Sequence, residues 1–205
     1  ANLAAPPIAV AVTQRDDVAL NTHLSCALLE DGVAQCWGQL LLGGKLTACA
    51  PPDWGAEENE AVARDGTCSF RRAGDPVLEV RTSSATACAR FASNRLHCIG
   101  ERHWASDASS ASTNPLSVHD AGSSGGFATS VGRFALADGF LCFAPVDGSR
   151  LRCKYAGGSW FNAVAQNAFT NGCMQVAAAN NSLAASCCST SSSCGLLEWT
   201  TSSST

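Results

Sequence analysis

The sequence predicts an all-β fold built of hairpins that disulfides staple, and three observations support this. Twelve cysteines are scattered along the chain without a Cys-x-x-Cys pair, a spacing typical of disulfides rather than of zinc ligands. A unit that begins with Cys-Ala and ends in Cys-x-Gly occurs twice. No stretch has an amphipathic helical period with capping residues, and Asp-Gly turn signals separate short β-compatible runs.

The first copy of the unit, residues 26–38, predicts a hairpin with a disulfide across it. Opposite residues of an antiparallel hairpin have numbers with a constant sum, so a three-residue loop over 30–32 places Cys26 opposite Cys36. Gly32 then occupies the left-handed position of that loop. A two-residue turn at Asp31-Gly32 would pair Ala27 with Cys36 instead. We favour the longer loop because both copies satisfy it.

The second copy, residues 88–100, follows the same rule. A loop over 92–94 places Cys88 opposite Cys98, and Asn94 falls at the left-handed position, which asparagine tolerates next best after glycine. The spacing therefore predicts a second disulfide across a hairpin.

Two further cysteine pairs flank two-residue turn signals. Cys142 and Cys153 face each other around Asp147-Gly148, and Cys173 and Cys188 face each other around Asn180-Asn181. Cys49–Cys68 and Cys187–Cys194 are left over and are paired by elimination. The runs 131–137, 140–145 and 149–155 predict a three-stranded meander around the third pair.

Composition excludes several classes of function. The net charge is −4 and lysine and arginine do not cluster, so no basic stripe for nucleic acid is expected. No apolar run approaches the ~20 residues of a membrane span. An even, scattered cysteine count predicts disulfides made in an oxidising compartment, and hence a secreted, extracellular protein.

The residues that could bind a metal or act in catalysis are better explained by structural or solvent-exposed roles. His97, Cys98 and His103 do not have a metal-ligand spacing, and Cys98 already has a disulfide partner. Three carboxylates at 57, 58 and 60 lie in a Pro- and Gly-flanked stretch that is typical of a solvated loop. We therefore expect no metal, no cofactor and no catalytic residue, and predict that the protein is not an enzyme.

The sequence predicts two kinds of association with sugars, namely saccharide binding and glycosylation. Trp54 and Trp104 lie in polar stretches, where exposed rings can stack on saccharides, so they are candidate ligand-binding residues. Asn180-Asn181-Ser182 is an N-glycosylation sequon at a hairpin tip, which makes Asn180 the candidate acceptor. Serines and threonines in 189–193 and 200–205 are candidate O-glycan sites.

Residues 18–38 read Val-Ala-Leu-Asn-Thr-His-Leu-Ser-Cys-Ala-Leu-Leu-Glu-Asp-Gly-Val-Ala-Gln-Cys-Trp-Gly. The Cys-Ala-Leu, Asp-Gly and Cys-Trp-Gly elements resemble the repeats of RCC-one-like (regulator of chromosome condensation) β-propellers, and residues 76–100 resemble a second copy. The resemblance implies four-stranded blades, in repeats of about 15–75, 76–114, 115–160 and 161–199. The family closes a ring of about seven blades, so about four blades imply an incomplete or open propeller-like fold.

The two ends complete the predicted organisation. Residues 1–14 form a β-compatible arm that carries Ile8, Val10 and Val12, ahead of a repeat domain over 15–199, and residues 200–205 form a Ser/Thr-rich tail. We expect the arm to add as a strand to a sheet edge of a neighbouring subunit. The leading hypothesis is a structural subunit of an extracellular filament, wall or matrix assembly, with further copies, extracellular proteins or glycans as partners. The alternative is a secreted, lectin-like carbohydrate-binding module.

Overall fold

The computed structural model describes residues 3–17, 20–42, 45–48, 67–83, 86–99, 116–117, 131–137, 140–146, 151–155, 160–162, 173–179, 182–190 and 193–200. All regular elements in these ranges are β-strands, arranged in four antiparallel sheets that follow one another along the chain. The predicted all-β class is confirmed, and we call the four sheets blades 1 to 4.

The strands of the four blades have the following bounds. Blade 1 contains β1 (Pro7–Asp17), β2 (Leu20–Leu29), β3 (Ala34–Leu42), β4 (Lys45–Ala48) and β5 (Thr67–Phe70). Blade 2 contains β6 (Val77–Ser83), β7 (Thr86–Phe91), β8 (Leu96–Ile99) and β9 (Leu116–Ser117). Blade 3 contains β10 (Val131–Ala137), β11 (Phe140–Pro145), β12 (Arg152–Tyr155) and β13 (Trp160–Asn162). Blade 4 contains β14 (Cys173–Ala179), β15 (Ser182–Thr190) and β16 (Ser193–Thr200).

Each blade is a meander in which successive strands pair. Blade 1 differs because β3 pairs with β2 and β5 through its first half and with β4 through its second half. The meander predicted in blade 3 is present, with β10 and β11 at the expected bounds and β13 added as a fourth strand.

The amino-terminal arm belongs to blade 1. Strand β1 pairs with β2 of the same chain from Pro7↔Leu29 to Asp17↔Leu20, so its hydrogen-bonding edge on that side is occupied internally. The arm therefore pairs within the chain along one edge, and its expected addition to a neighbouring sheet edge stays a prediction. The cause is local, since a short connection lets β1 and β2 form an ordinary hairpin.

The three-residue loops predicted from the repeat are confirmed. In blade 1 the amide of Leu29 donates to the carbonyl of Val33 at 2.8 Å, and Gly32 has a positive φ of 78°. In blade 2 the amide of Phe91 donates to the carbonyl of Arg95 at 2.9 Å, and Asn94 has a φ of 64°. Glycine and asparagine thus occupy the left-handed positions that such loops require.

Disulfides join the hairpins at the expected pairs. Cys26–Cys36, Cys88–Cys98 and Cys142–Cys153 are bonded, and in each case the two cysteines are directly opposite across the second and third strands of a blade. All six side chains are buried. Each crosslink therefore lies inside the protein rather than at its surface.

The register predicted for blade 4 is wrong at its cysteines. Ala179 faces Ser182, as the expected Asn180-Asn181 turn requires, but an irregularity between Cys173 and Gln175 shifts the pairing beyond it. The shift places Cys173 opposite Cys187, and the next strand pair places Cys188 opposite Cys194. The predicted pairs Cys173–Cys188 and Cys187–Cys194 therefore do not face each other. A β-bulge adds one residue to one strand, which a constant-sum rule does not include.

The apolar core lies between the blades. One cluster combines Cys26, Cys36 and Phe70 of blade 1 with Val80 and Phe91 of blade 2. Another combines the disulfide cysteines of blades 2 and 3 with Phe134, Phe143 and Ala185, and so runs from blade 2 to blade 4. The blades are therefore held face to face by packing of side chains that alternate across each sheet. Within the described ranges, no helix is long and apolar enough to cross a membrane.

Candidate interaction surface

The strand registers align the blades position by position. The residue opposite the first cysteine of each hairpin is Ala11 in blade 1, Arg81 in blade 2 and Ala135 in blade 3. The residues immediately before these are Val10, Val80 and Phe134, which therefore occupy one structural position on the first strand of three blades.

That position packs on the preceding blade in the interior of the molecule. Val80 belongs to one buried cluster with the Cys26–Cys36 disulfide of blade 1, and Phe134 belongs to one with the Cys88–Cys98 disulfide of blade 2. Each blade therefore presents a first-strand face to the disulfide hairpin of the blade before it.

Blade 1 exposes the same first-strand face to solvent. Its alternate side chains Ile8, Val10 and Val12 are exposed, and we call them the front face. Val10 is 61% exposed, whereas the equivalent Val80 and Phe134 are 7% and 0% exposed. All three residues are apolar and β-branched, and most of their apolar surface remains in contact with water. An exposed strand gains little stability from such side chains, so their presence is unusual.

The outer part of the same side of blade 1 is covered by the chain itself. Leu3 and Ala5 pack with Trp37 on a small buried cluster that contains Ala27 and Leu29. The amide of Ala4 also donates to Oε1 of Gln35 at 3.3 Å. The exposed apolar surface is therefore confined to the inner strand, β1.

Blade 4 has an exposed face on the side opposite to the front face. The position two residues before the second hairpin cysteine is Ala34, Leu96 and Leu151 in blades 1 to 3, and all three side chains are buried. Register aligns Leu196 of β16 with this position, and Leu196 is 66% exposed. Glu198 stands where the other blades have the second cysteine, and it too is exposed, as is Ala177, which lies two strands away in the same cross-strand row. We call Ala177, Leu196 and Glu198 the back face.

A backbone hydrogen bond recurs at the junctions between blades. The amide of Val77 at the start of blade 2 donates to the loop carbonyl of Gly32 at 2.7 Å, and the amide of Val131 at the start of blade 3 donates to that of Asn94 at 2.8 Å. Register places Pro7 at the equivalent position of blade 1. Proline has no amide hydrogen, so blade 1 cannot donate this bond.

The β15–β16 hairpin of blade 4 extends further than the equivalent hairpins of blades 1 and 2. In blades 1 and 2 the second strand ends at Leu29 and Phe91, where the tight loop begins. Register aligns Cys187 with these two residues, yet β15 continues to Thr190 and pairs with Ser193.

Polar groups also hold the start of blade 2 to its own hairpin loop. The buried carboxylate of Asp75 accepts hydrogen bonds from the amide and the hydroxyl of Ser93, at 2.7 and 2.5 Å. Arg72 approaches the same carboxylate at 3.5 Å. Because the acceptor is charged and largely removed from water, these bonds fix the segment before β6 against the loop of blade 2.

A second charged group lies on the face of blade 2 that carries its disulfide. The carboxylate of Glu79 contacts the guanidinium groups of Arg81 at 3.0 Å and Arg90 at 3.4 Å. The Arg90 and Glu79 side chains are mostly buried, whereas Arg81 is half exposed. The buried charges are therefore paired, as burial of charge requires.

The structure describes two of the three candidate metal ligands, His97 and Cys98. His97 is buried in β8, where its ring meets that of Phe91 edge-on at a centroid distance of 5.1 Å, and Cys98 is in a disulfide. Among the residues that the structure describes, no cluster of three or more metal-ligating side chains occurs.

Several candidate residues lie outside the described residues. These are His103, the carboxylates at 57, 58 and 60, the ring-stacking candidates Trp54 and Trp104, the sequon residue Asn180, Cys49 and residues 201–205 of the predicted tail, whose first residue Thr200 is the last residue of β16. The carbohydrate-binding alternative, which depends on the two tryptophans, therefore stays a prediction from the sequence. So does glycosylation at Asn180.

The front-face residues Ile8, Val10 and Val12 were predicted from the sequence, but the back-face residues were not. Leu196 carries no motif, and only the register of β15 with β16 aligns it with Leu96 and Leu151. The signal available in the sequence was the spacing of two residues before a hairpin cysteine, but Glu198 replaces that cysteine in blade 4.

Comparison with known proteins identifies the fold. Human WBSCR16 is similar over 86% of this chain and 44% of its own, with 11% identity and a TM-score of 0.57. The entire ectodomain of the Physcomitrella patens receptor kinase CR4 is similar over 93% of this chain and 41% of its own, with 12% identity and a TM-score of 0.52. The chain therefore spans less than half the length of each. At these identities the likeness shows the fold alone, an all-β arrangement of propeller-like blades.

Sequence comparisons add no family. No protein-family model matches the chain, and no curated protein matches it. Yeast RCC1 (Prp20), in its complex with Kap60, is among the similar structures, with 13% identity, coverage of 79% of this chain and 51% of its own, and a TM-score of 0.39. The four blades agree with the propeller-like fold that the resemblance of residues 18–38 implies, and its assignment to RCC-one-like repeats stays a prediction from the sequence.

Proposed function

We propose that the chain is a secreted, non-enzymatic interaction module whose propeller-like blades present surfaces to protein partners. The observation that carries this proposal is the front face. A position that is buried between blades at two junctions is left exposed on β1, together with two more apolar side chains. Contiguous exposed apolar surface of this kind is typical of sites where another macromolecule binds.

Secretion is supported by the disulfides. The three observed bonds are buried and occupy equivalent positions in three successive blades. They are therefore structural disulfides of the folded core rather than products of oxidation at the surface. Structural disulfides of this kind persist in oxidising compartments and are rare in the cytosol. The similar CR4 structure is an ectodomain, which agrees with an extracellular setting.

The secretion proposal is tested by expression in two compartments. We expect the chain to fold when it passes through an oxidising secretory pathway, with the three bonds recovered by peptide mapping without reduction. In a reducing cytosol we expect poorly folded protein. Equal folding and stability in the two compartments, with free thiols in the cytosolic material, would reject it.

The interaction proposal is tested by photo-cross-linking in the medium of cells that produce the protein. A photoreactive residue replaces Val10 on the front face, and a control replaces Val146, an exposed apolar residue of blade 3 that is on neither open face. We expect protein adducts from position 10 and few from position 146. No adducts at position 10, or equal yields at the two positions, would reject a role for this face.

A further inference from the structure

We infer that residues 3–5 are a releasable strap that controls access to the part of blade 1 beside the front face. Leu3 and Ala5 are partly buried on an apolar patch, which we call the outer patch. The outer patch consists of Ala27, Leu29, Val33 and Trp37. When the strap leaves, the outer patch and the front face become one apolar surface on the same side of the sheet. The inference rests on the proposed function, since it states how access to that surface is regulated.

The strap covers blade 1 where blade 1 itself covers blade 2. Register aligns Leu29 of blade 1 with Phe91 of blade 2. Phe91 is buried in one cluster with the Cys26–Cys36 disulfide of blade 1, whereas Leu29 is buried in the cluster on which the strap and Trp37 pack. A three-residue segment thus takes the place of a whole sheet. Because it removes less apolar area from water, it is held less tightly and can leave while the blade stays folded.

The strap has a defined hinge at its carboxyl end. The amide of Glu30 donates to the carbonyl of Pro6 at 3.0 Å, and in blade 2 the amide of Ala92 donates to the carbonyl of Pro76 at 2.9 Å. The proline before the first strand is therefore fixed to the hairpin loop in both blades. Movement of the strap begins at the residue before Pro6 and leaves β1 paired.

The segments upstream of these two prolines are held differently. Register aligns Ala5 with Asp75, whose carboxylate accepts hydrogen bonds from the amide and the hydroxyl of Ser93 at 2.7 and 2.5 Å. Bonds to a charged acceptor are the stronger kind. Ala5 has no polar group in its side chain, and the strap is held by a neutral bond from the amide of Ala4 to Oε1 of Gln35 at 3.3 Å. The segment is therefore latched on blade 2 and unlatched on blade 1.

The latch of blade 2 can be transferred to blade 1. Register aligns Asp31 with Ser93, so Ala5→Asp places a second carboxylate beside that of Asp31, and the two like charges favour release of the strap. Ala5→Asp combined with Asp31→Ser reproduces the pair of Asp75 with Ser93 and favours the closed strap. Asp31→Ser alone is the matched control, because it removes the acceptor of the Val33 amide without adding a latch.

The experiment counts open and closed straps by photo-cross-linking of the full chain in the medium of producing cells. A photoreactive aromatic residue replaces Trp37 in the outer patch, and peptide mapping separates adducts with residues 3–5 from adducts with other proteins. We expect the double variant to lower the ratio of open to closed strap by on the order of tenfold, since it adds a charge-assisted bond. Ala5→Asp should raise that ratio, and Asp31→Ser should leave it unchanged. A photoreactive residue at position 3 repeats the count from the strap itself.

The outcomes separate this inference from the proposed function. Equal ratios in all variants, or shifts of Ala5→Asp and the double variant in the same direction, overturn the strap when circular dichroism shows the variants folded. So do adducts with other proteins at position 10 but none at position 37 in the Ala5→Asp variant. If adducts with residues 3–5 follow the expected order while positions 10 and 37 capture no other protein, the strap stands and the proposed function fails.

Discussion

Replacing Gly32 tests how closely blades 1 and 2 approach each other. Gly32 lies in the hairpin loop of blade 1 with a φ of 78°, and a Cβ built on it would lie 2.5 Å from Cβ of Pro76 and 3.2 Å from its Cα. Pro76 immediately precedes β6, so the crowded pair spans the junction. Real Cβ atoms essentially never come within 3.0 Å of another heavy atom, and the Pro76 ring cannot swing away, so a side chain here must move the loop or the start of blade 2.

Gly74 provides the matched control. It has a similar φ of 72°, and a Cβ there would meet nothing within 4 Å. Gly74→Ala therefore carries only the conformational cost of a left-handed alanine, about 1–2 kcal/mol. Gly32→Ala carries that cost plus the cost of overpacking, which is typically about 1–3 kcal/mol. It also strains the 2.7 Å bond from the amide of Val77 to the carbonyl of Gly32. We expect a total loss of about 3 kcal/mol for Gly32→Ala.

The measurement is thermal unfolding of the two variants and wild type at one protein concentration. For a chain of this size about 1 kcal/mol lowers Tm by roughly 2–4 °C, so we expect a decrease of about 6–12 °C for Gly32→Ala and about half of that for Gly74→Ala. Gly32→Asn separates the two causes, because asparagine tolerates the left-handed conformation but keeps the contact with Pro76. Equal decreases for Gly32→Ala and Gly74→Ala, or a Gly32→Asn variant as stable as wild type, would refute the close junction.

Three further predictions follow from the blades. Asp75→Ala should lower the unfolding free energy by about 1–3 kcal/mol, since the Ser93 amide loses a buried acceptor, and Asp75→Asn should cost less in urea unfolding. Replacing Cys88 and Cys98 by serine should cost slightly under ~3 kcal/mol, because they close a loop of about ten residues, and unchanged stability in urea would contradict the crosslink. Peptide mapping without reduction should recover the two blade 4 pairs that face each other in the observed register, rather than the pairs expected from the sequence alone.

Much of the fold was predictable because the cysteine spacing and the turn residues of the repeat together determine the register of each hairpin. The spacing of Cys26 and Cys36 agrees with a three-residue loop, and the left-handed position of that loop falls on Gly32. In blade 2 the same arithmetic falls on Asn94, which has a positive φ. When turn residue, cysteine spacing and strand direction agree, a register can be predicted from sequence.

Blade 4 shows where such arithmetic fails. The turn prediction is correct at Ala179 and Ser182, but the irregularity after Cys173 shifts the cysteines by one residue. Alanine-rich strands such as 177–179 carry no alternation that would have signalled the shift.

Only the front face of the candidate interaction surface could be predicted from the sequence. Ile8, Val10 and Val12 alternate in an apolar arm, so their importance was visible in the sequence, although we expected the arm to pair with a neighbouring sheet rather than with β2. The back face was not visible, because a single leucine acquires meaning only from its equivalence to Leu96 across two sheets.

The positions of the observed disulfides determine which parts of the molecule can separate during partial unfolding. Each of the three bonds closes a hairpin within one blade, and among the described residues none joins one blade to the next. Cohesion between blades depends on apolar packing and on single backbone bonds such as that from Val77 to Gly32. Blades are therefore the units of partial opening, and amides inside the stapled hairpins should exchange with solvent more slowly than those at the junctions.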